Sequence, residues 1–106
     1  MPKYLVQASY TSEGAKSLVR EGGSGRRAAI AKMVESVGGK LETVYFAFGD
    51  VDVYIIIDLP DNISAAAVWH AVNRSDTITS KTVVLLTPEE MDQALKKEIE
   101  FRMPGR

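Results

Sequence analysis

The chain has 106 residues, 45% of them hydrophobic and 25% charged, the balance of an ordinary globular chain and enough for one domain over residues 1–106. With 13 basic and 14 acidic side chains the net charge is −1, so no long-range positive field favours nucleic acid. Cysteine is absent, which excludes disulfides, thiolate catalysis and zinc–thiolate sites. The opening residues hold no apolar run of the secretory kind, and no stretch reaches the ~18 apolar residues of a membrane helix. The expected compartment is therefore the cytoplasm, with neither membrane nor nucleic acid as partner.

In chain order, Tyr4 to Tyr10 alternates as a strand, with Tyr4, Val6, Ala8 and Tyr10 on one face and Leu5, Gln7 and Ser9 on the other. Thr11 or Ser12 is placed to cap a helix running to about Arg20. Gly22-Gly23-Ser24-Gly25 interrupts it, and a second helical stretch runs from about Arg26 to Val37. Ile30, Met33, Val34 and Val37 make its apolar stripe, and Gly38-Gly39 supplies the stop.

A hairpin follows. Leu41–Phe48 and Val51–Leu59 are β-rich and meet at Gly49-Asp50, read as a tight turn in which glycine supplies a positive φ. Asn62 or Ser64 is placed to cap a helix from about Ala65 to Arg74, with Ala65, Val68, Trp69 and Val72 facing inward. Thr77 to Leu86 is β-branched and alternating, hence a fourth strand. Thr87-Pro88-Glu89-Glu90 reads as a capping box opening a last helix to about Phe101, with Met91, Leu95 and Ile99 on one packing line.

The order β-α-β-β-α-β plus a terminal helix predicts an α+β, ferredoxin-like sandwich with a four-stranded antiparallel sheet. Right-handed crossovers put both main helices on one sheet face. The third strand carries Val53, Ile55 and Ile57 on one face and Tyr54 and Ile56 on the other. Whichever face the helices cover, large apolar side chains remain on the opposite one, more than a monomer usually exposes. A homodimer or higher oligomer with a cavity between facing sheets is the expected solution, and cover by the terminal helix is the alternative.

Lys3-Tyr4-Leu5-Val6, Tyr10-Thr11 with Gly14, Arg27, Gly38-Gly39-Lys40-Leu41, Phe48-Gly49-Asp50-Val51-Asp52, Asp58-Leu59-Pro60-Asp61 and Leu86-Thr87-Pro88-Glu89-Glu90 together resemble a GYD-domain protein over nearly the whole chain. Gly49 and Asp52 match the glycine and aspartate of the family's turn, with Val51 where a tyrosine is usual. The resemblance implies a fold of the dimeric α+β barrel type and no particular reaction. The turn is also similar to that of effector-binding domains of leucine-responsive regulators, without their helix-turn-helix.

Four groups of residues could carry chemistry. Asp52 could receive a ligand amine or act as a base at the rim of a dimer cavity; the plainer reading is a turn aspartate that caps backbone N–H groups. No third carboxylate or histidine near Asp50 and Asp52 completes a metal set, so no metal and no cofactor are expected. His70 is the only histidine and the other candidate base, although no triad partner is visible and helical spacing puts it at the surface or boundary. Arg26 and Arg27, after the glycine-rich break, suit an anion such as phosphate or carboxylate, against the reading of a mere connector. Tyr10, Tyr45 and Tyr54 could line a ligand pocket with Asp52, or pack with their hydroxyls wet. The expected function is an oligomeric small-molecule-binding or regulatory module. The alternative is a cofactor-independent isomerase or monooxygenase of the dimeric barrel type using His70 or Asp52 as base.

Overall fold

A computed structural model describes residues 1–106. Its elements are β1 (Lys3–Tyr10), α1 (Ser12–Ser36), β2 (Lys40–Phe46), β3 (Val53–Asp58), α2 (Asn62–Asn73), β4 (Ile78–Leu85) and α3 (Pro88–Leu95). The strands form one antiparallel sheet in the order β2-β3-β1-β4. This is the ferredoxin-like arrangement, with α1 and α2 on one face.

The buried core lies between that face and the helices. Tyr4 and Ala8 of β1, Val53, Ile55 and Ile57 of β3, and Leu59 meet Ile30 and Val34 of α1 and Ala65 of α2. Alternation along β1 and β3 decides which side chains reach it, because successive Cβ atoms point to opposite faces. Tyr4 is 1% exposed, and its hydroxyl donates to Asn62 Oδ1 at 2.6 Å, tying β1 to the start of α2. The phenol can therefore be buried without an orphaned donor.

The helix predicted in two pieces is one element with a single break. Thr11 caps it, accepting from the Gly14 N–H. Gly22 alone leaves helical geometry, at φ 76° and ψ 167°, a region essentially reserved for glycine. Gly23, Ser24 and Gly25 resume the helix. Gly38, at φ 82°, ends the segment as expected of a C′ glycine.

Other boundaries differ from expectation for identifiable reasons. The connection between β2 and β3 is not a tight turn: Ala47–Asp52 form a six-residue loop, closed by the Ala47 N–H donating to the Asp52 carbonyl at 2.7 Å. Gly49 has no positive φ there, since a longer loop does not require one. The β2–β3 register shifts between Leu41 and Thr43, so Glu42 is an extra residue. That bulge turns Leu41 to the helix face with Val44 and leaves Thr43 and Tyr45 on the open face.

Asp61, rather than Asn62 or Ser64, caps α2, accepting from the Ser64 N–H at 2.8 Å. Trp69 lies at the helix rim, 46% exposed, instead of in the inner stripe. The Ser64 N–H holds the Asp61 carboxyl below the ordinary carboxylate range. A depressed folded pKa contributes stability above the unfolded value that is lost as pH falls through the folded one. Denaturation of Asp61→Asn at neutral and acid pH should thus show a flatter loss of stability with acid than the parent, because asparagine keeps the cap without titrating.

The terminal helix has its predicted capping box, with Thr87 Oγ1 accepting from the Glu90 N–H and Glu90 Oε1 accepting from the Thr87 N–H. It ends at Leu95, short of Phe101, and every residue from Pro88 onward is exposed. Met91, Leu95 and Ile99 are therefore not buried within their own chain, contrary to expectation. The molecule is correspondingly long, 57 × 32 × 22 Å, with a radius of gyration of 16.8 Å against ~13 Å for a compact chain this size. No helix is long and apolar enough to cross a membrane.

Candidate functional site

Two regions hold the candidate residues: a set of clefts at the Tyr10 end of the sheet, under the break in α1, and the open sheet face. Tyr10 ends β1 and stands between three spaces. One is an apolar cavity of about 40 Å³ between helices and sheet, bordered by Val6, Ile30, Ile78 and Arg26. The second is an apolar cleft of about 460 Å³ lined by Leu18, Gly23, Phe46 and Asp52. The third is a polar cleft of about 340 Å³ lined by Ser17, Arg20, Glu21, Arg26 and Thr77.

Asp52 reaches Tyr10 through the backbone. Its Oδ2 accepts the Tyr10 N–H at 2.8 Å, its own N–H donates to the Ala8 carbonyl at 2.9 Å, and its carbonyl accepts from Ala47. The first two bonds lengthen the β1–β3 pairing past the end of its ladder and the third does the same for β2–β3, which is the behaviour of a turn aspartate. Removing the carboxylate leaves a part-buried N–H unpaired, at a cost of about 1.5–3 kcal/mol for a bond to a charged acceptor. Urea denaturation of Asp52→Ala should show that loss, and Asp52→Asn should recover most of it.

Arg26 enters from the first turn after the break. Its Nε is fully buried with no hydrogen-bond partner, and its Nη1 stands 3.6 Å from Glu21 Oε2, too far for a hydrogen bond. Burial pushes the Tyr10 phenol above its ordinary pKa, while the Arg26 guanidinium beside it pulls the other way. Tyr10, Asp52 and Arg26 thus gather in one place although their sequence positions are far apart.

The remaining candidates lie elsewhere. Arg27 is exposed and borders a separate surface groove with Ser24, Lys40 and Glu42, so the two arginines line different spaces. Tyr45 and Tyr54 are paired neighbours on the open sheet face. His70 is exposed on α2 and borders none of the three spaces around Tyr10. No cluster of three His, Asp or Glu side chains is placed to hold a metal ion. The structure adds Ser17, Arg20 and Glu21, which the sequence reading passed over. Their signal was present: three polar residues on adjacent turns immediately before the glycine break.

Register places Leu5, Thr43, Tyr45, Tyr54, Ile56, Val83 and Leu85 on the open face. Its charged corner is tied internally, with Lys3 Nζ donating to Asp58 at 2.9 Å and Glu42 at 3.0 Å. An antiparallel sheet with helices on one side and this much apolar surface on the other defines the class of protein. The GYD-domain model matches residues 4–95, and the chain belongs to that family. No curated protein matches the sequence.

Proposed function

We propose that this GYD-domain protein is a small-molecule-binding module that works as a homo-oligomer, two copies packing through their open sheet faces. The observation that supports the reading is the uncovered sheet. The one element that could cover it within a single chain, α3, leads away instead, with every residue exposed. Only 11 of 106 residues are buried, a thin core for a chain of this length, so a second copy has much to contribute.

The size of the contact brings in the C-terminal segment. A four-stranded face of about seven residues per strand has a planar footprint on the order of 450 Å², at ~3.3 Å rise and ~4.8 Å strand spacing. A specific dimer buries about 800 Å² per partner. Side-chain relief enlarges the footprint, and Met91, Leu95, Ile99 and Phe101, all exposed, can lie across the partner to supply the rest. A chain ending at Thr87 should associate at least about tenfold more weakly than the full chain.

Native mass spectrometry tests both halves of the reading at once. The expected species is an integral multiple of 11.6 kDa, with an added small-molecule mass that dissociates on activation. A bare 11.6 kDa ion under gentle conditions contradicts the reading.

A further inference from the structure

We infer that the polar cleft beside Tyr10 is built for a short-chain carboxylate with a branched apolar tail, the carboxylate seated on Arg26 and the tail entering the cavity behind it. The inference rests on the binding half of the function proposed above and is independent of the oligomer.

Arg26 carries the argument. A guanidinium offers two parallel N–H donors that match a carboxylate in a bidentate pair. Here the Nε is buried and unpartnered, and the only carboxylate near it is Glu21, at 3.6 Å from Nη1. The Nε is closed off from the cleft, so an incoming carboxylate meets the Nη end of the guanidinium, which makes no hydrogen bond to Glu21 at 3.6 Å. Glu21 has 39% of its side chain exposed and lies just before the Gly22 break, so it can yield to an incoming carboxylate.

The surroundings fix the rest of the ligand. Arg26, Tyr10 and Ile78 border both the polar cleft and the apolar cavity, so the two spaces share one boundary. The cleft, about 340 Å³, has room for a small acid and its water, with Ser17 and Arg20 on the far side. The cavity, about 40 Å³, has twelve apolar lining residues and Arg26. It suits one or two methyl groups and rejects a polar end. The cleft's own lining, Arg20 and Arg26 against Glu21, carries one net positive charge, which an acid neutralises and an amine does not, while Asp52 lines the neighbouring cleft with one carboxylate oxygen held by the Tyr10 N–H.

Isobutyrate is the probe, followed by NMR through the Arg26 Nε–H and Tyr10 amide resonances of the full chain. Isobutyrate should shift both saturably, formate should bind roughly tenfold more weakly, and isobutanol should shift neither. Glu21→Gln, a surface change that removes the internal competitor, should tighten isobutyrate several-fold. Arg26→Gln should abolish the saturable shift at Tyr10. If that variant fails to fold, Glu21→Gln decides alone. No saturable shift up to about 100 mM isobutyrate, equal binding of isobutanol, or unchanged affinity in Glu21→Gln overturns the inference. An intact oligomer with no isobutyrate binding defeats this site and leaves self-association standing; binding by a wild-type chain that stays monomeric does the reverse.

Discussion

Ile56→Glu is expected to convert the oligomer into folded monomers. Ile56 sits on β3, an interior strand, with Leu5 and Thr43 as its cross-strand neighbours on the open face. Between two packed sheets a carboxylate there loses its water and gains no partner, and a like charge from the second copy adds to the cost. Either effect amounts to several kcal/mol, enough to dissociate a micromolar dimer. The fold itself should survive, because position 56 faces away from the core formed by Val53, Ile55 and Ile57. Far-UV circular dichroism should be unchanged while particle mass falls to 11.6 kDa. Ile63→Glu is the control: Ile63 is 83% exposed on α2, so its charge should leave the mass unaltered. An oligomer that persists in Ile56→Glu would place the interface elsewhere.

Gly14→Ala should be the most damaging single methyl added to the chain. Gly14 is buried where the first turn of α1 crosses the start of β4, and a Cβ there would run into the Thr77 carbonyl and the Tyr10 ring. That same carbonyl accepts the Thr11 N–H at 2.9 Å. The clash therefore pushes on backbone that cannot rotate away, and relief breaks the bond that docks the helix. Overpacking of this kind costs about 1–3 kcal/mol, and backbone against backbone belongs at the upper end. A Tm lower by roughly 10–20 °C is expected in calorimetry. Gly49→Ala gives the contrast: a Cβ there meets nothing, so its stability should change by about 0.5 kcal/mol at most, a Tm shift of no more than roughly 2–4 °C.

These two glycines also show what could be read without coordinates. Both belong to the resemblance pattern, yet composition cannot tell a glycine wedged against a carbonyl from one in open loop. Strand faces in β1 and β3 were legible because alternation is a local property. In β2 the bulge at Glu42 hid the pairing, since one extra residue reverses every face beyond it. The helix break was legible from four small residues in a row, but only Gly22 uses the freedom; its neighbours extend the helix.

The site was legible as residue types and not as a place. Asp52 and Tyr10 stand 42 positions apart and meet through one backbone hydrogen bond. Arg26 reaches Tyr10 only because α1 bends at Gly22. Arg26 and Arg27 line different spaces for a simple reason: adjacent helical residues diverge by ~100° and face different grooves. The apolar line Met91–Leu95–Ile99 was legible as a stripe, but periodicity carries no information about which surface, if any, it meets, and within the chain it is exposed.

Multi-angle light scattering on the purified wild-type chain, from micromolar to near-millimolar concentration, asks most directly whether a second copy closes the open face. The account predicts a steady particle mass of at least twice 11.6 kDa. A constant mass of 11.6 kDa across that range would mean that Leu5, Tyr45, Tyr54, Ile56 and Val83 stay in water, and self-association through the sheet would be excluded.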